Sequence, residues 1–233
     1  MYLKEPLLPT TKIYKSTFKL FYKKETGSSF VINFDKRQFL VSAKHIFKDC
    51  ISGQKVDLTI INEHNAEISI KSKIYFHKNE LIDIAIIPID LICNDTLEIK
   101  DPNSAAIGQE CLFLGFPLYD FLKTEHDIGS FALVKKAILS GRVKLDNGVY
   151  ALVLDGHNNP GFSGGPIITH NDLIENTYIV GVISGYYIQK DKNKFSIGET
   201  NNYFKEVEVE INTNSGIIIS YDTDYIKEII KEI

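Results

Sequence analysis

Apolar and polar positions alternate in short runs along nearly the whole chain, and Gly, Asn and Asp separate the runs. Their β-branched and aromatic content predicts strands rather than helices. One series of strands is expected at 18–22, 29–34, 38–42, 56–61, 67–74 and 84–89, and a second at 110–116, 131–143, 149–154, 165–169, 178–184, 206–211 and 217–220. Strands at such intervals with turn residues between them indicate a sandwich or barrels. The stretch 93–108 is irregular and carries Asn94-Asp95 and Asp101-Pro102-Asn103. The chain is therefore expected to divide there, into 1–100 and 101–233. The polar stretch 189–202 reads as a surface loop or a twisted hairpin tip. Only the end of the chain has a helical period. Ile226, Ile229, Ile230 and Ile233 share one face of 223–233, Asp222 or Thr223 can cap it, and the face is expected to dock on the second half.

One stretch breaks the strand pattern. In Asn159-Pro160-Gly161-Phe162-Ser163-Gly164-Gly165-Pro166, three glycines and two prolines surround a single serine. Glycine allows positive φ and close backbone approach, and proline fixes φ. Apolar runs lie on both sides, at 150–154 and 167–168, so the serine is expected on a rigid loop between two strands. A hydroxyl held that way is a candidate nucleophile, provided that a base can take its proton and a carboxylate can orient the base. Of the six histidines, His45 is the best placed base, because it lies just past the apolar run 39–43. His64 sits in a turn-like Asn62-Glu63-His64-Asn65, and His77 and His126 lie in charged stretches. Asp83 stands directly before the apolar Ile84-Ala85-Ile86-Ile87, where partial burial would demand a partner.

Composition narrows the function further. Twenty-six basic residues against 30 acidic ones leave a formal charge of −4, which argues against binding nucleic acid by phosphate neutralisation. The lysine-rich patches are interleaved with acids or polar residues and read as solvated faces. Cys50, Cys93 and Cys111 are an odd number with no close pair, so they are expected to be reduced and mostly buried. Glu5, Pro6 and Pro9 interrupt the first residues where a signal peptide needs an apolar run, and no run has the length of a membrane span. A cytoplasmic location, away from membranes, is expected. There is no His-Glu-x-x-His and no paired-cysteine motif, so neither a metal site nor a cofactor is expected.

The same segments resemble those of the chymotrypsin-like (trypsin-fold) serine peptidases, above all the bacterial trypsin-like branch. Gly161-Phe162-Ser163-Gly164-Gly165-Pro166 is similar to the Gly-x-Ser-Gly-Gly-Pro nucleophile loop. Val41-Ser42-Ala43-Lys44-His45 is similar to the histidine block, and Asp83-Ile84-Ala85-Ile86-Ile87 to the aspartate block. Gly27-Ser28-Ser29-Phe30 and Leu114-Gly115-Phe116-Pro117 resemble two further elements, and the order His, Asp, Ser agrees. The resemblance implies an all-β fold of two packed six-stranded antiparallel β-barrels with a C-terminal helix. It also implies a serine endopeptidase in which Ser163 is the nucleophile, His45 the base and Asp83 its orienting acid. The N–H groups of Gly161 and Ser163 would form the oxyanion hole, and a protein or peptide would be the substrate. His157 would lie at the base of the primary pocket, as a polar group, with Ser184, Gly185 and Tyr186 along its wall. Phe162 replaces the Asp that zymogen-type members place before the serine, so no activating N-terminal cut is expected.

Two other readings remain at the level of sequence. Gly161-Phe162-Ser163-Gly164-Gly165 also satisfies the Gly-x-Ser-x-Gly elbow of α/β-hydrolases, but a helix is needed after it and a histidine well downstream. Here a strand follows, and His170 is too close. The second is a catalytically idle or partner-gated module that binds peptides or a regulatory protein, since a fold does not imply a function.

Overall fold

Two antiparallel sheets meet along one face in the computed structural model, which describes residues 8–90, 93–94, 96–117, 132–145, 148–171, 176–199 and 203–233. His126 lies outside the described residues. After a short helix α1 (Thr11–Lys15) come β1 (Thr17–Tyr22), β2 (Glu25–Phe34), β3 (Arg37–Ser42), β4 (Lys55–Ile61), β5 (Glu67–Lys73), β6 (Tyr75–Phe76) and β7 (Ala85–Ile89). They form one sheet in the order β5-β4-β1-β2-β3-β7-β6. The sheet curls towards itself, because the Ser72 hydroxyl of β5 donates to Pro88 O of β7 at 2.6 Å.

The second sheet contains β8 (Glu110–Gly115), β9 (Leu133–Lys144), β10 (Tyr150–Asp155), β11 (Pro166–Asn171), β12 (Asn176–Glu199) and β13 (Tyr203–Asp222). It closes as a six-stranded barrel in the order β10-β13-β12-β11-β8-β9. The all-β architecture is therefore the one expected, with a helix α2 (Thr223–Lys231) at the end.

Two local differences have physical causes. The first sheet has seven strands rather than six, because the strand expected at 67–74 breaks at Ile74. Its N–H donates to Gln54 O at 2.9 Å and its carbonyl accepts from Gly53 N at 2.7 Å, which pulls it out of the ladder. The strands expected at 178–184, 206–211 and 217–220 are parts of one long ribbon, in which β12 and β13 pair from Gly181↔Asp222 out to Glu199↔Tyr203. Of the stretch 189–202, residues 189–199 are the far end of β12 in that ribbon, and 200–202 lie outside the described residues. An exposed Lys190–Glu210 pair at 3.3 Å crosses the ribbon, and such pairs add little stability.

Alternation explains the packing. In β2 and β3, Val31 and Leu40 point into the core of the first sheet, with Leu20, Leu58 and Ile60. Their neighbours Phe30, Ile32, Phe39 and Val41 point the other way, onto Leu112, Leu114 and Ile168 of the barrel and onto Ile226 and Ile229 of α2. Both faces are buried, which is why these strands read as nearly unbroken apolar runs. A third cluster, around Phe113, Phe162 and Tyr178, fills the barrel. Cys93 and Cys111 are buried and Cys50 half-buried, all unpaired, and burial pushes the thiols of Cys93 and Cys111 up to about 11.

Helix α2 spans both halves rather than resting on the second alone. Tyr225 Oη accepts from Tyr150 N at 2.9 Å, while Glu228 meets His77 Nε2 at 2.8 Å and Glu232 meets Lys78 at 3.5 Å. Among the described residues no helix is long and apolar enough to cross a membrane.

Asp222 caps α2, its Oδ1 accepting from Asp224 N at 3.0 Å. Burial pushes this carboxyl from 3.8 up to about 6. The folded group thus holds its proton more tightly than the unfolded one. Its contribution to stability is full below pH 3.8 and is lost as the pH rises through about 6, a difference of roughly 3 kcal/mol. Asn caps as well as Asp and carries no charge. Asp222→Asn should therefore melt several degrees higher than the wild type at pH 7.5, at about 2–4 °C per kcal/mol for a chain of this size. The gap should close at pH 4. Thermal melts at the two pH values check this, and equal melting at pH 7.5 would contradict it.

Candidate active site

The sheet contributes a base and an acid, and the barrel contributes a hydroxyl. Strand β3 ends at Ser42, and a 3-10 turn at Lys44–Phe47 follows, anchored by buried Ile46 and Phe47. It lifts His45 to the surface, with 45% of its side chain exposed. Asp83 precedes β7 between buried Ile82 and Ile84, and only 17% of its side chain is exposed. The two residues meet twice. His45 N donates to Asp83 Oδ1 and His45 Nδ1 faces Asp83 Oδ2, both at 2.7 Å. A carboxylate only accepts, so this contact puts the imidazole proton on Nδ1 and leaves the Nε2 lone pair free.

Ser163 connects to this pair through Ser184. The register of β12 against β13 slips between Ile183 and Gly185. Ser184 is the extra residue of a bulge, a device that re-aims side chains beside functional sites. Its Oγ donates to Asp83 Oδ2, and its carbonyl accepts from Ser163 Oγ at 3.0 Å. The structure therefore brings His45, Asp83, Ser163 and Ser184 together, with the Ser163 hydroxyl resting on Ser184 O. Tyr221 of β13 also belongs here. It donates to Leu81 O at 2.6 Å, and burial, helped by the charge of Asp83, pushes its phenol up to about 12, so it stays a neutral donor.

The loop before Ser163 is a hydrogen-bonded turn. Phe162 N donates to Asn159 O at 3.3 Å, with Pro160 and Gly161 in the centre and Gly161 at φ 102°. Pro then a positive-φ Gly is the type II pattern, which differs from type I by a flip of the central peptide. Among the described residues, the N–H groups of Gly161 and Ser163 have no acceptor. They are two backbone donors two positions apart, on a buried Gly161 and a half-buried Ser163.

A buried serine that sequence reasoning left without a role holds this turn from below. Ser28 of β2 donates its hydroxyl to Gly161 O at 2.7 Å and accepts from Phe116 N at 2.9 Å. Its N–H donates to Ser163 O at 2.8 Å, and its carbonyl accepts from Ser42 Oγ at 2.7 Å. The approach is so close that a Cβ on Gly164, at φ 84°, would lie 2.2 Å from Ser28 O. The only sequence cue was Ser28's place in a segment similar to the family strand.

The other expected site residues are placed less uniformly. The His157 side chain is exposed, whereas its neighbour Asn158 is buried. Asn158 Nδ2 donates to Gly185 O at 3.3 Å, and Asn158 O accepts from Asn214 Nδ2 at 2.6 Å. Asn158 thus joins the turn to the two strands at 184–186 and 214–216. Gly185 and Tyr186 are half-buried beside Ser184. His64 lies in the β4–β5 hairpin turn, and His77 is engaged with α2, so neither competes with His45. Among the described residues no group of His, Cys, Asp or Glu could hold a metal ion.

The model of the trypsin-like peptidase domain matches residues 27–174, well over half the chain, and spans His45, Asp83 and Ser163. The chain belongs to that family. No curated protein matches the sequence. Among solved structures, this trypsin-like peptidase domain resembles the HtrA-type protease AlgW with tripeptide, at TM-score 0.61 and 16% identity over 96% of the chain. It spans 61% of the AlgW chain, less than two thirds of that protein. It also resembles a serine endoprotease from Yersinia pestis (TM-score 0.59, 17% identity, 97% of this chain and 67% of that one). A third is the Rv3671c protease of M. tuberculosis in an inactive form (TM-score 0.57, 14% identity, 95% and 90%). At these identities the likeness establishes the fold alone.

Proposed function

We propose that the protein is a serine endopeptidase that cuts protein or peptide substrates through an acyl-enzyme. The observation that carries this reading is the double contact of His45 with Asp83, connected through Ser184 to the hydroxyl of Ser163. Ser163 Oγ turns from Ser184 O towards His45, gives its proton to Nε2 and attacks the scissile carbonyl carbon. Asp83 holds the tautomer and stabilises the imidazolium. The carbonyl oxygen gains a negative charge at the N–H groups of Gly161 and Ser163, where each donor is worth about 3 kcal/mol of transition-state stabilisation. The intermediate then expels the amine, which takes the proton from His45. Water, activated by the same histidine, releases the acid and restores Ser163.

Substrate backbone would run along Ser184, Gly185 and Tyr186, with His157 and Asn158 at the pocket. That turn carries no acid, so cleavage after Lys or Arg is not the expected preference. Phe162 is fully buried and has no carboxylate to pair with a new N-terminus. We therefore assign no zymogen cut to this chain.

One observation favours a second reading, a partner-gated module: the Ser163 hydroxyl rests on Ser184 O rather than on His45. A tagged alkyl fluorophosphonate decides between them. In a working site Ser163 Oγ forms a bond to phosphorus, the P–F bond breaks, fluoride leaves, and His45 takes the serine proton. Stoichiometric labelling of the isolated protein, mapped to the Ser163 peptide, with cleavage of a mixed peptide library, is the expected result. No labelling and no cleavage would exclude a site that works without a partner.

A further inference from the structure

Lys135 reaches from β9 to the turn that precedes Ser163. Its Nζ donates to His157 O at 2.8 Å and also to Asn159 Oδ1, and it lies 5.3 Å from the centre of the Phe162 ring. Three groups of one loop, on both sides of Pro160-Gly161, thus converge on a single ammonium. A cation over an aromatic face is attracted by the ring's quadrupole. The ring itself is fixed, edge-on to Phe113 with centroids 5.2 Å apart, and Phe113 is the ladder partner of Lys135. Among the described residues no carboxylate pairs with Lys135, and partial burial lowers its pKa. A lysine free to extend into water would avoid that desolvation. Here its donors are used on the loop instead.

The turn can be held only from its ends. Its central peptide joins Pro160 and Gly161, and a flip of that peptide would convert type II into type I and re-aim Gly161 N–H. Ser28 fixes Gly161 O on one side. We infer that Lys135 is the positioning residue on the other side: it clamps His157, Asn159 and Phe162 so that the Gly161 N–H stays aimed at the carbonyl oxygen of the substrate. The inference rests on the peptidase reading above. It makes the oxyanion turn self-supporting, with the cation that orders it built into β9.

The test is the labelling of full-length wild type, Lys135→Met and Lys135→Arg by the same fluorophosphonate, whose phosphoryl oxygen occupies the place of the substrate oxyanion. The maximal labelling rate and the half-saturating probe concentration are read separately, beside a thermal melt. For Lys135→Met the maximal rate should fall about 100-fold, the size of effect seen when one oxyanion donor is lost. Half-saturation should shift less than about threefold and the melting temperature by no more than a few degrees, because the methionine keeps the aliphatic stem. Lys135→Arg keeps a cation with several donors and should restore the rate to within about tenfold of wild type. A methionine variant that labels at the wild-type rate would overturn the clamp and leave the peptidase reading intact. Slow labelling that tracks a large loss of melting temperature in both variants would overturn it too, as a fold effect. If the wild type itself is not labelled, the reading of a peptidase that works without a partner fails, and the clamp with it.

Discussion

Ser163→Ala is expected to abolish turnover, with a loss of about 10⁶-fold in kcat if the three residues act as one unit, and to leave the fold as it is. The two halves of that expectation come from different contacts. The hydroxyl has one bond in the resting structure, to Ser184 O at 3.0 Å. That carbonyl lies at a bulge on a half-exposed strand, where water can replace the lost donor. The backbone of the same residue is what the fold uses, since Ser163 O accepts from Ser28 N and alanine keeps that bond. Side-by-side peptide cleavage and thermal melts check both halves. An alanine variant with wild-type activity would remove Ser163 from the chemistry. One that melts ten degrees lower would show that the hydroxyl, not the backbone, holds the loop.

Asp83→Asn should lower kcat about 10⁴-fold near neutral pH, a little over 5 kcal/mol of transition-state stabilisation. Three donors converge on Asp83. Its Oδ1 accepts from His45 N, and its Oδ2 faces both His45 Nδ1 and Ser184 Oγ. Asparagine offers one oxygen and one NH₂ in the same space. With the oxygen towards His45 N, the NH₂ faces Nδ1 and drives the imidazole proton to Nε2, where the base needs its lone pair. With the amide turned round, the NH₂ opposes the His45 N–H, so two donors face each other and the bond that fixes the His45 backbone is lost. Neither orientation keeps both the geometry and the tautomer. Steady-state kinetics on any cleaved peptide measure the effect, and a loss smaller than tenfold would mean that Asp83 does not orient the base.

Much of this was legible along the chain because it is local. Strand positions followed from alternation, and His45, Asp83 and Ser163 stood out because each breaks a run of apolar residues or small turn-formers. What was missed is non-local. Ser28 looks like any strand serine until the fold carries Gly161 to it across 133 positions of sequence. Lys135 and Lys136 are adjacent lysines that nothing in the sequence tells apart, yet Lys135 turns to the loop and Lys136 pairs with Glu110. The ribbon of β12 and β13 was cut into pieces because Lys190, Lys192 and Lys194 interrupt the apolar pattern that signals a strand. Its ladder comes from backbone pairing with the strand that follows it, from Lys190↔Asn212 to Glu199↔Tyr203, which needs no apolar side chain. Helix α1 was missed for a related reason. It is five residues long, below the length at which periodicity can be read, and it is held by Thr17 Oγ1 donating to Ile13 O at 2.6 Å.

The closure of the barrel has a consequence for how such a chain is made. Strand β13 seals the barrel by pairing with β10 on one side and β12 on the other, and its Asn214 bonds the turn ahead of the serine. On the ribosome it leaves the exit tunnel after every other strand among the described residues. A nascent chain therefore carries His45 and Asp83 early and then Ser163, while the strand that closes the barrel is still to come. Under the peptidase reading proposed above, the three side chains would stay uncoupled until β13 pairs on both of its edges.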